Sequence, residues 1–530
     1  MSNSQFAHMT IPKLVQQAAL QFSKHTAIEE EGQIISYEEL DSIRQQWAAA
    51  FIAAGVQHGD RVAIWAPNVR EWIYAAIGAH SVGAMIVPVN TRMKGAEAGY
   101  VLRASGAKIL CTVAGFLGFD YPSMLKDESL PSLISIVMLR GQSVPVKQVN
   151  CISWQEFLGK GSNIREHEIQ HRTNAGKPDD VSDLIFTSGT TGKPKGVKTS
   201  HAQNLRVFEV WSELVGLQRD DRYLIVNPFF HSFGYKAGWL AALIRGATIL
   251  PMAVFDAEEI MRRIGKERIS VLPGPPTLYQ SILASPNFGK YDLSCLRLAV
   301  TGAAAIPVSL VHKMRDELHF KTVLTAYGLT ETCGVVTMCR EGDDPELIAN
   351  TSGRAIPDVE VRCINDENEE VPRGSPGEIV VRGYNVMQGY FENPEATIET
   401  IDSDGWLHTG DVGVMDANGY LRITDRIKDM FIVGGFNVYP VEIEHLMLTY
   451  KGVAQVAVIG LPDERMGEVA AVCIVPTAGA TIDKDAFIAW CKQNMSNYKV
   501  PKRVEIMQAL PMNATGKVQK FVLRDMLAKK

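Results

Sequence analysis

The chain contains no CxxC pair, no excess of basic residues, no long unbroken apolar run, and no internal repeat or low-complexity segment. Each absence excludes a class of function. The eight cysteines are scattered without framework spacing, and nothing near the closest two, Cys333 and Cys339, completes a metal site. They read as reduced packing thiols of a cytosolic protein. The formal net charge of -6 offers no basic face for nucleic acid. The most apolar stretch, 75–89, is interrupted by Gly78, His80, Gly83 and Pro88. That fits a buried helix and strand and is too broken to span a bilayer. Met1-Ser-Asn-Ser-Gln5 has neither a basic nor an apolar leader region, so a cytoplasmic location is expected.

What is present is an ordinary globular composition, 46% apolar over 530 residues, too long for one core. Short strand patterns at 61–65, 85–89, 108–112, 222–226, 247–250, 269–272 and 296–300 alternate with helical stretches such as 71–80. Several strands run directly into Pro, Gly or small polar residues. This rhythm predicts an α/β fold of largely parallel, helix-covered sheets with ligands at the carboxyl ends of strands. From about Val359 the texture turns to short strands and Gly-rich turns, as in 377–383 and 416–419, predicting an antiparallel or barrel-like subdomain. A final section carries a helix near 441–448, strands near 456–459 and 469–475, and a helix from Asp483. The predicted domains are 1–427 and 428–530, with the boundary at Lys428.

One run stands out. Thr187-Ser-Gly-Thr-Thr-Gly-Lys-Pro-Lys-Gly196 follows the apolar strand signal Leu184-Ile-Phe186. Glycines let a backbone wrap phosphate oxygens, while amides, hydroxyls and lysines supply donors and charge. It is not a Walker loop, because Pro194 stands where a magnesium-binding Ser or Thr belongs. By itself such a run also reads as a mobile surface turn. Behind it, Ser200-His-Ala-Gln203 fits a capping box that opens a helix with Leu205, Phe208 and Leu214 on its buried stripe.

Five further motifs follow in order: Asn227-Pro-Phe-Phe-His-Ser-Phe-Gly234, Thr325-Ala-Tyr-Gly-Leu-Thr-Glu-Thr332, Gly405-Trp-Leu-His-Thr-Gly-Asp411, Asp425-Arg-Ile-Lys-Asp429 with Gly434-Gly-Phe-Asn-Val-Tyr-Pro440, and Asn513-Ala-Thr-Gly-Lys517. Together with the Gly-rich run, the set closely resembles the adenylate-forming family of acyl-CoA synthetases, luciferases and peptide-synthetase adenylation domains. The resemblance extends from near residue 10 to the last residues. It implies a large N-terminal domain of two helix-covered sheets plus a small barrel-like subdomain, then a small mobile α+β domain.

It also implies roles. Thr187, Ser188, Gly189, Thr190, Thr191, Gly192, Lys193 and Lys195 would hold the ATP phosphates, and Thr187 with Glu331 would carry Mg2+, a hard cation suited to oxygen ligands. Gly302, Ala303, Ala304, Thr325, Ala326, Tyr327, Gly328 and Thr330 would surround adenine, with Tyr327 stacking on the base. Asp411 and Arg426 would receive the ribose. Lys517 would be the catalytic lysine bridging carboxylate and α-phosphate, and Lys428 the hinge. Gly434, Gly435 and Phe436 would line the tunnel for the slender pantetheine arm of CoA, although Gly434-Gly435 also reads as a plain hairpin turn. His231 would be the gate between acyl pocket and ATP site, with Phe233, Gly234, Pro273 and Gly274 at the acyl pocket. Lys499, Lys502 and Arg503 are candidates for the CoA phosphates, or ordinary solvated charges. Family members are often homodimers.

Within the family, 227–238, 271–282, 299–304 and 323–328 resemble bacterial ligases that activate a steroid-derived indane propanoate. Fatty acids and aryl-propanoates stay open, because apolar pockets discriminate by only about 1–3 kcal/mol per methylene. A carrier-protein-loading enzyme and a luciferase-type oxygenase are the alternatives in the second step. A carrier-loading role is disfavoured, since no carrier segment follows Lys517. A non-catalytic nucleotide binder is disfavoured by the presence of Lys517, Glu331 and the phosphate run.

Overall fold

A computed structural model describes residues 6–530 apart from 143–145, 147–148, 189–192, 303–305, 307, 366, 427–430, 439, 448, 478, 512–517, 519 and 529–530. Of 188, 277, 424–426, 437, 441–442, 445 and 521 it describes the backbone only. The calls on Gly189, Thr190, Thr191, Gly192, Ala303, Ala304, Lys428 and Lys517 therefore lie outside the described residues, as does the domain boundary.

The first sheet is a parallel array in the order Val181–Ser188, Met85–Pro88, Arg61–Trp65, Ile109–Phe116, Ser135–Arg140, Cys151–Ser153. Its edge is extended by the antiparallel strand Pro194–Ser200. The inner strands are apolar along their length because helices such as Arg70–Ser81 cover them. The expected capping box is formed: Ser200 Oγ accepts from Gln203 N, and Gln203 Oε1 accepts from Ser200 N.

The second sheet joins two four-stranded halves. One is Arg222–Ile225, Thr248–Pro251, Thr26–Glu30 and Gln33–Ser36; the other is Leu298–Gly302, Thr322–Tyr327, Thr337–Met338 and Arg354–Ala355. The strand expected at 269–272 is reduced to Val271, which bridges in parallel to both Tyr223 and Leu298. The run Pro273-Gly-Pro-Pro276 that follows removes three backbone donors and ends the ladder.

The predicted antiparallel subdomain is a meander of Val359–Ile364, Pro376–Gly383, Leu407–Met415 and Leu421–Arg426. The last section has its own cores. In its long hairpin, Val453–Asp463 with Gly467–Pro476, Val456, Val458, Val472 and Ile474 face one core, and Ala457, Ile459, Ala471 and Cys473 face another. A two-residue period apolar on both faces requires cover on both sides. Helix Lys484–Asn494 contributes Phe487 and Cys491 to the first core, and helix Lys520–Ala528 contributes Leu523 and Leu527 to the second. All eight cysteines are free, six of them buried. Among the described residues no helix is long and apolar enough to cross a membrane.

His80 and His201 pack edge to face, ring centroids 5.2 Å apart, inside the large core. Burial pushes His80 down to about 4 and His201 well below the ordinary 6.5. His201 Nδ1 accepts from Ile11 N, which requires it unprotonated at that atom. Above pH 6.5 both states are neutral and folding is unaffected. Below it the unfolded chain binds protons that the folded chain refuses, so stability falls as pH drops toward 4. The contribution of His80 is up to about 3 kcal/mol at about 1.4 kcal/mol per unit. Urea midpoints are expected to be flat above neutrality and to decline between these limits. His80→Gln should flatten part of that slope; an unchanged slope would remove the histidine explanation.

Candidate active site

The Gly-rich run is flanked by two paired antiparallel strands, Val181–Ser188 and Pro194–Ser200. Its strands pair Thr187 with Lys195 and Ser188 with Pro194, which sets the lysine opposite the threonine. Thr187 Oγ1 donates to Glu331 Oε1 at 3.1 Å, across 144 residues of chain, and Tyr390 Oη donates to the same oxygen at 3.1 Å. Lys195 Nζ lies 5.0 Å from the Tyr390 ring centroid. Tyr390 is held because 388–391 runs beside the exit strand: Phe391 N donates to Gly196 O and Lys198 N to Gly389 O. Burial holds the Glu331 carboxyl above its usual range, while bonds from Tyr390 and Thr187 and the Lys195 cation pull it back. A carboxylate and a hydroxyl oxygen this close suit a cation that takes oxygen ligands and few protein groups. Lys193 is exposed beside the strand Pro194–Ser200.

Glu331 stands on the short turn Thr330–Thr332, directly after the strand Thr322–Tyr327. Tyr327 is buried and its hydroxyl donates to Asp411 Oδ2 at 2.7 Å. Asp411 pairs in register with Arg426, so the two predicted ribose residues are backbone neighbours on adjacent strands. Three residues predicted around adenine also serve the packing of the chain. The Thr325 hydroxyl is committed to the carbonyls of Ile348 and Thr351 and braces the strand. Gly328 has no room for a side chain, since a Cβ there would sit 2.2 Å from Gly334 O. Gly302 likewise faces the neighbouring strand, where its Cβ would meet Ala326 O at 2.9 Å. Ala326 and Thr330 are partly exposed on either side of Tyr327 and Gly328.

His231 ends a tight loop after the strand Arg222–Ile225 and caps the turn Ser232–Gly234, its Nδ1 accepting from Phe233 N. The ring is reachable by solvent, while the surrounding protein and the Lys236 cation disfavour the imidazolium. It stands neutral at physiological pH. Gly234 has no room for a side chain, because a Cβ would lie 2.1 Å from Asn227 O. The buried Asn68 holds the loop from outside it, donating to Ile225 O and Asn227 O and accepting from Phe229 N. Asn227 Nδ2 then donates to Pro273 O, joining the His231 loop to the Pro273-Gly274 segment, where Gly274 packs under Leu278.

The C-terminal section meets this cleft. Phe431–Val433 and Phe436–Val438 form a two-residue hairpin in which Gly434 and Gly435 have φ of 55° and 83°. The plain-turn reading is thus correct locally, as a turn needing two left-handed residues. Its tip nevertheless reaches the cleft: a Cβ at Gly435 would be 3.8 Å from Pro275 Cβ. Phe436 stacks on Tyr498 at 4.8 Å, and the Arg92 guanidinium lies 4.1 Å from the Phe436 centroid. Lys499 Nζ sits 3.0 Å from Glu97 Oε1, with Ser496 Oγ donating to Glu97 Oε2. This corrects the reading of Lys499 as a CoA-phosphate contact, since its ammonium is buried and already neutralised. Arg503 is paired with Glu505 and Leu527 O.

A Gly-rich run between paired strands, the Thr187–Glu331–Tyr390 cluster, the Tyr327–Asp411 pair and the Gly435 tip against Pro275 coincide with a family model. The model described as AMP-binding enzyme matches residues 15–391, and that for the AMP-binding enzyme C-terminal domain matches 442–517. The chain belongs to the AMP-binding enzyme family. It is 47% identical over 520 residues to a Rhodococcus jostii protein named 3-[(3aS,4S,7aS)-7a-methyl-1,5-dioxo-octahydro-1H-inden-4-yl]propanoyl:CoA ligase, covering 97% of this chain and 98% of that one. A Mycobacterium tuberculosis protein of the same name is 46% identical over 98% and 99% of the two chains. Among solved structures, a Bacillus subtilis o-succinylbenzoate CoA synthetase bound with a product analogue superposes with a TM-score of 0.83 at 26% identity, over 98% and 99%.

Sequence reasoning on this AMP-binding enzyme missed Tyr390, Asn68, Glu97 and the buried Asp183 on the strand Val181–Ser188. None lies in a motif of distinctive composition. A signal was available only for Asp183, a charged residue inside an apolar strand run.

Proposed function

We propose that the protein is an AMP-forming acyl-CoA ligase whose acid is the indane propanoate named for its relatives, a bicyclic diketone bearing a propanoate arm. The observation that carries the thiol-transfer part is the Gly434–Gly435 tip seated against Pro275, which brings the candidate tunnel loop to the acyl-site segment.

In the first step a carboxylate oxygen of the acid attacks the α-phosphorus of ATP, the bond to the β,γ-phosphates breaks and pyrophosphate leaves. The protein supplies position and charge rather than a nucleophile. Lys193 and Lys195 meet the departing phosphates. Thr187 and Glu331 fit Mg2+, which when bound there would neutralise phosphate charge. Asp411 accepts the ribose hydroxyls, with Arg426 its strand neighbour, and Tyr327 stacks on the base while donating to Asp411. His231, kept neutral, separates acid from nucleotide without adding a cation. In the second step the CoA sulfur attacks the acyl carbon and AMP departs, after Lys517 has been withdrawn by rotation about Lys428. A cytoplasmic location and a homodimer belong to the same proposal, supported by the free cysteines and the family resemblance.

The test is thioester formation with Mg-ATP and CoA, read by mass spectrometry over a panel of the indane propanoate, straight-chain acids and aryl-propanoates. A preference for the indane acid of at least about tenfold in kcat/KM is expected. Equal or better turnover of fatty acids would overturn the substrate. AMP release without any thioester would move carrier loading to the front.

A further inference from the structure

Lys236 has no solvent exposure and stands in the widened π-helical turn Tyr235–Leu240 that continues the His231 segment. Its Nζ lies 3.0 Å from Asp183 Oδ1 and donates to Thr199 Oγ1 at 2.9 Å. Thr199 Oγ1 donates to Asp183 Oδ1 at 2.8 Å; Ser182 Oγ and Asn204 Nδ2 donate to Asp183 Oδ2 at 2.8 and 2.7 Å. All five residues are buried. Asp183 and Thr199 face each other in register on the strands that enter and leave the phosphate loop. One saturated ion pair therefore bolts the base of the phosphate hairpin to the segment that carries the gate.

Stability alone is a poor reason for such a pair. Stripping water from an ammonium and a carboxylate is costly, and apolar groups of the same volume commonly serve a core as well. A π-turn adds inferior hydrogen-bond geometry and is found disproportionately at functional sites. The gate has no slack to absorb a shift, since Gly234 already packs on the carbonyls of Asn227 and Pro228. A displacement of Lys236 is thus passed on to His231.

We infer that Lys236 is a positioning residue for adenylation: through Asp183 and Thr199 it sets the distance between the His231 segment and the phosphate loop, so that acid and α-phosphate meet in line. The inference rests on the proposed acid activation. Lys236→Met combined with Asp183→Asn replaces the pair by neutral groups of similar volume and leaves no charge alone. The expected result is a fall of about 10–100-fold in kcat for acid-dependent ATP–pyrophosphate exchange, the size of effect a misplacement of about 1 Å produces. KM for ATP, and thioester formation from supplied acyl-adenylate, should change by less than about threefold, because neither needs the in-line approach. The milder Thr199→Val keeps the ion pair but removes the bonds that Thr199 Oγ1 makes with Lys236, Asp183 and Asn204, and should slow the same step about 3–10-fold; it decides the matter if the double variant does not fold. A folded variant with wild-type exchange, or one that loses both half-reactions equally, would show that the pair serves the fold alone. Absence of exchange in the wild-type protein would instead overturn the acid-activating reading and this inference with it.

Discussion

Replacing Lys517 by alanine is expected to lower acid-dependent ATP–pyrophosphate exchange by about 10²–10³-fold, the usual consequence of losing one preorganised charge at a developing anion. Lys517 closes the last of the six motifs, Asn513-Ala-Thr-Gly-Lys517. The reaction brings a carboxylate onto a polyanion, and negative charge concentrates on the pentavalent phosphorus only as the bond forms. An ammonium aimed at that point stabilises the transition state far more than the ground state, so the loss falls on kcat rather than on nucleotide affinity. ATP binding by calorimetry should move by less than about twofold on this argument. Thioester formation from supplied acyl-adenylate has no phosphorane and should be spared. Undiminished exchange in a folded Lys517→Ala protein would remove the lysine from the mechanism.

The second large effect is expected at Glu331. Glu331→Gln keeps the shape of the group and can still accept from Thr187 and Tyr390, both of which now meet Oε1. What it loses is the negative charge. If that oxygen holds Mg2+ with Thr187, exchange falls about 10–100-fold, a cost of a few kcal/mol in charge stabilisation. The magnesium concentration giving half-maximal rate rises with it. Burial already disfavours the ionised carboxyl, so the thermal midpoint should hold or rise. An unchanged magnesium dependence with lowered kcat would assign Glu331 to the shape of the turn instead.

The site residues divide by how they can be found. Gly434 and Gly435 were legible as a turn because two left-handed residues in succession are a local demand; that the turn's tip meets Pro275 was not. At Gly328 nothing in the local sequence signalled that a side chain would meet Gly334 O. Lys499 looked like a phosphate ligand because a basic residue near a surface helix carries no sign of its partner, and Glu97 lies 402 residues away. At 269–272 the β-pattern predicts a strand, and the prolines behind it limit the ladder to the single bridging residue Val271.

The amino-acid sequence by itself determined the α/β rhythm, the order of the six motifs and, through them, the family. These depend on neighbours along the chain: a glycine-rich turn after an apolar strand, a capping box, a two-residue hairpin. Only the tertiary structure decided that Tyr390 shares Glu331 with Thr187, that Asn68 clamps the loop before His231, that Glu97 neutralises Lys499 and that Lys236 joins the His231 segment to the strands flanking the Gly-rich run. The reason is physical. A buried charge or amide is satisfied by whichever complementary group the packing of distant elements brings within about 3 Å, and nothing in the local pattern of either partner specifies the other.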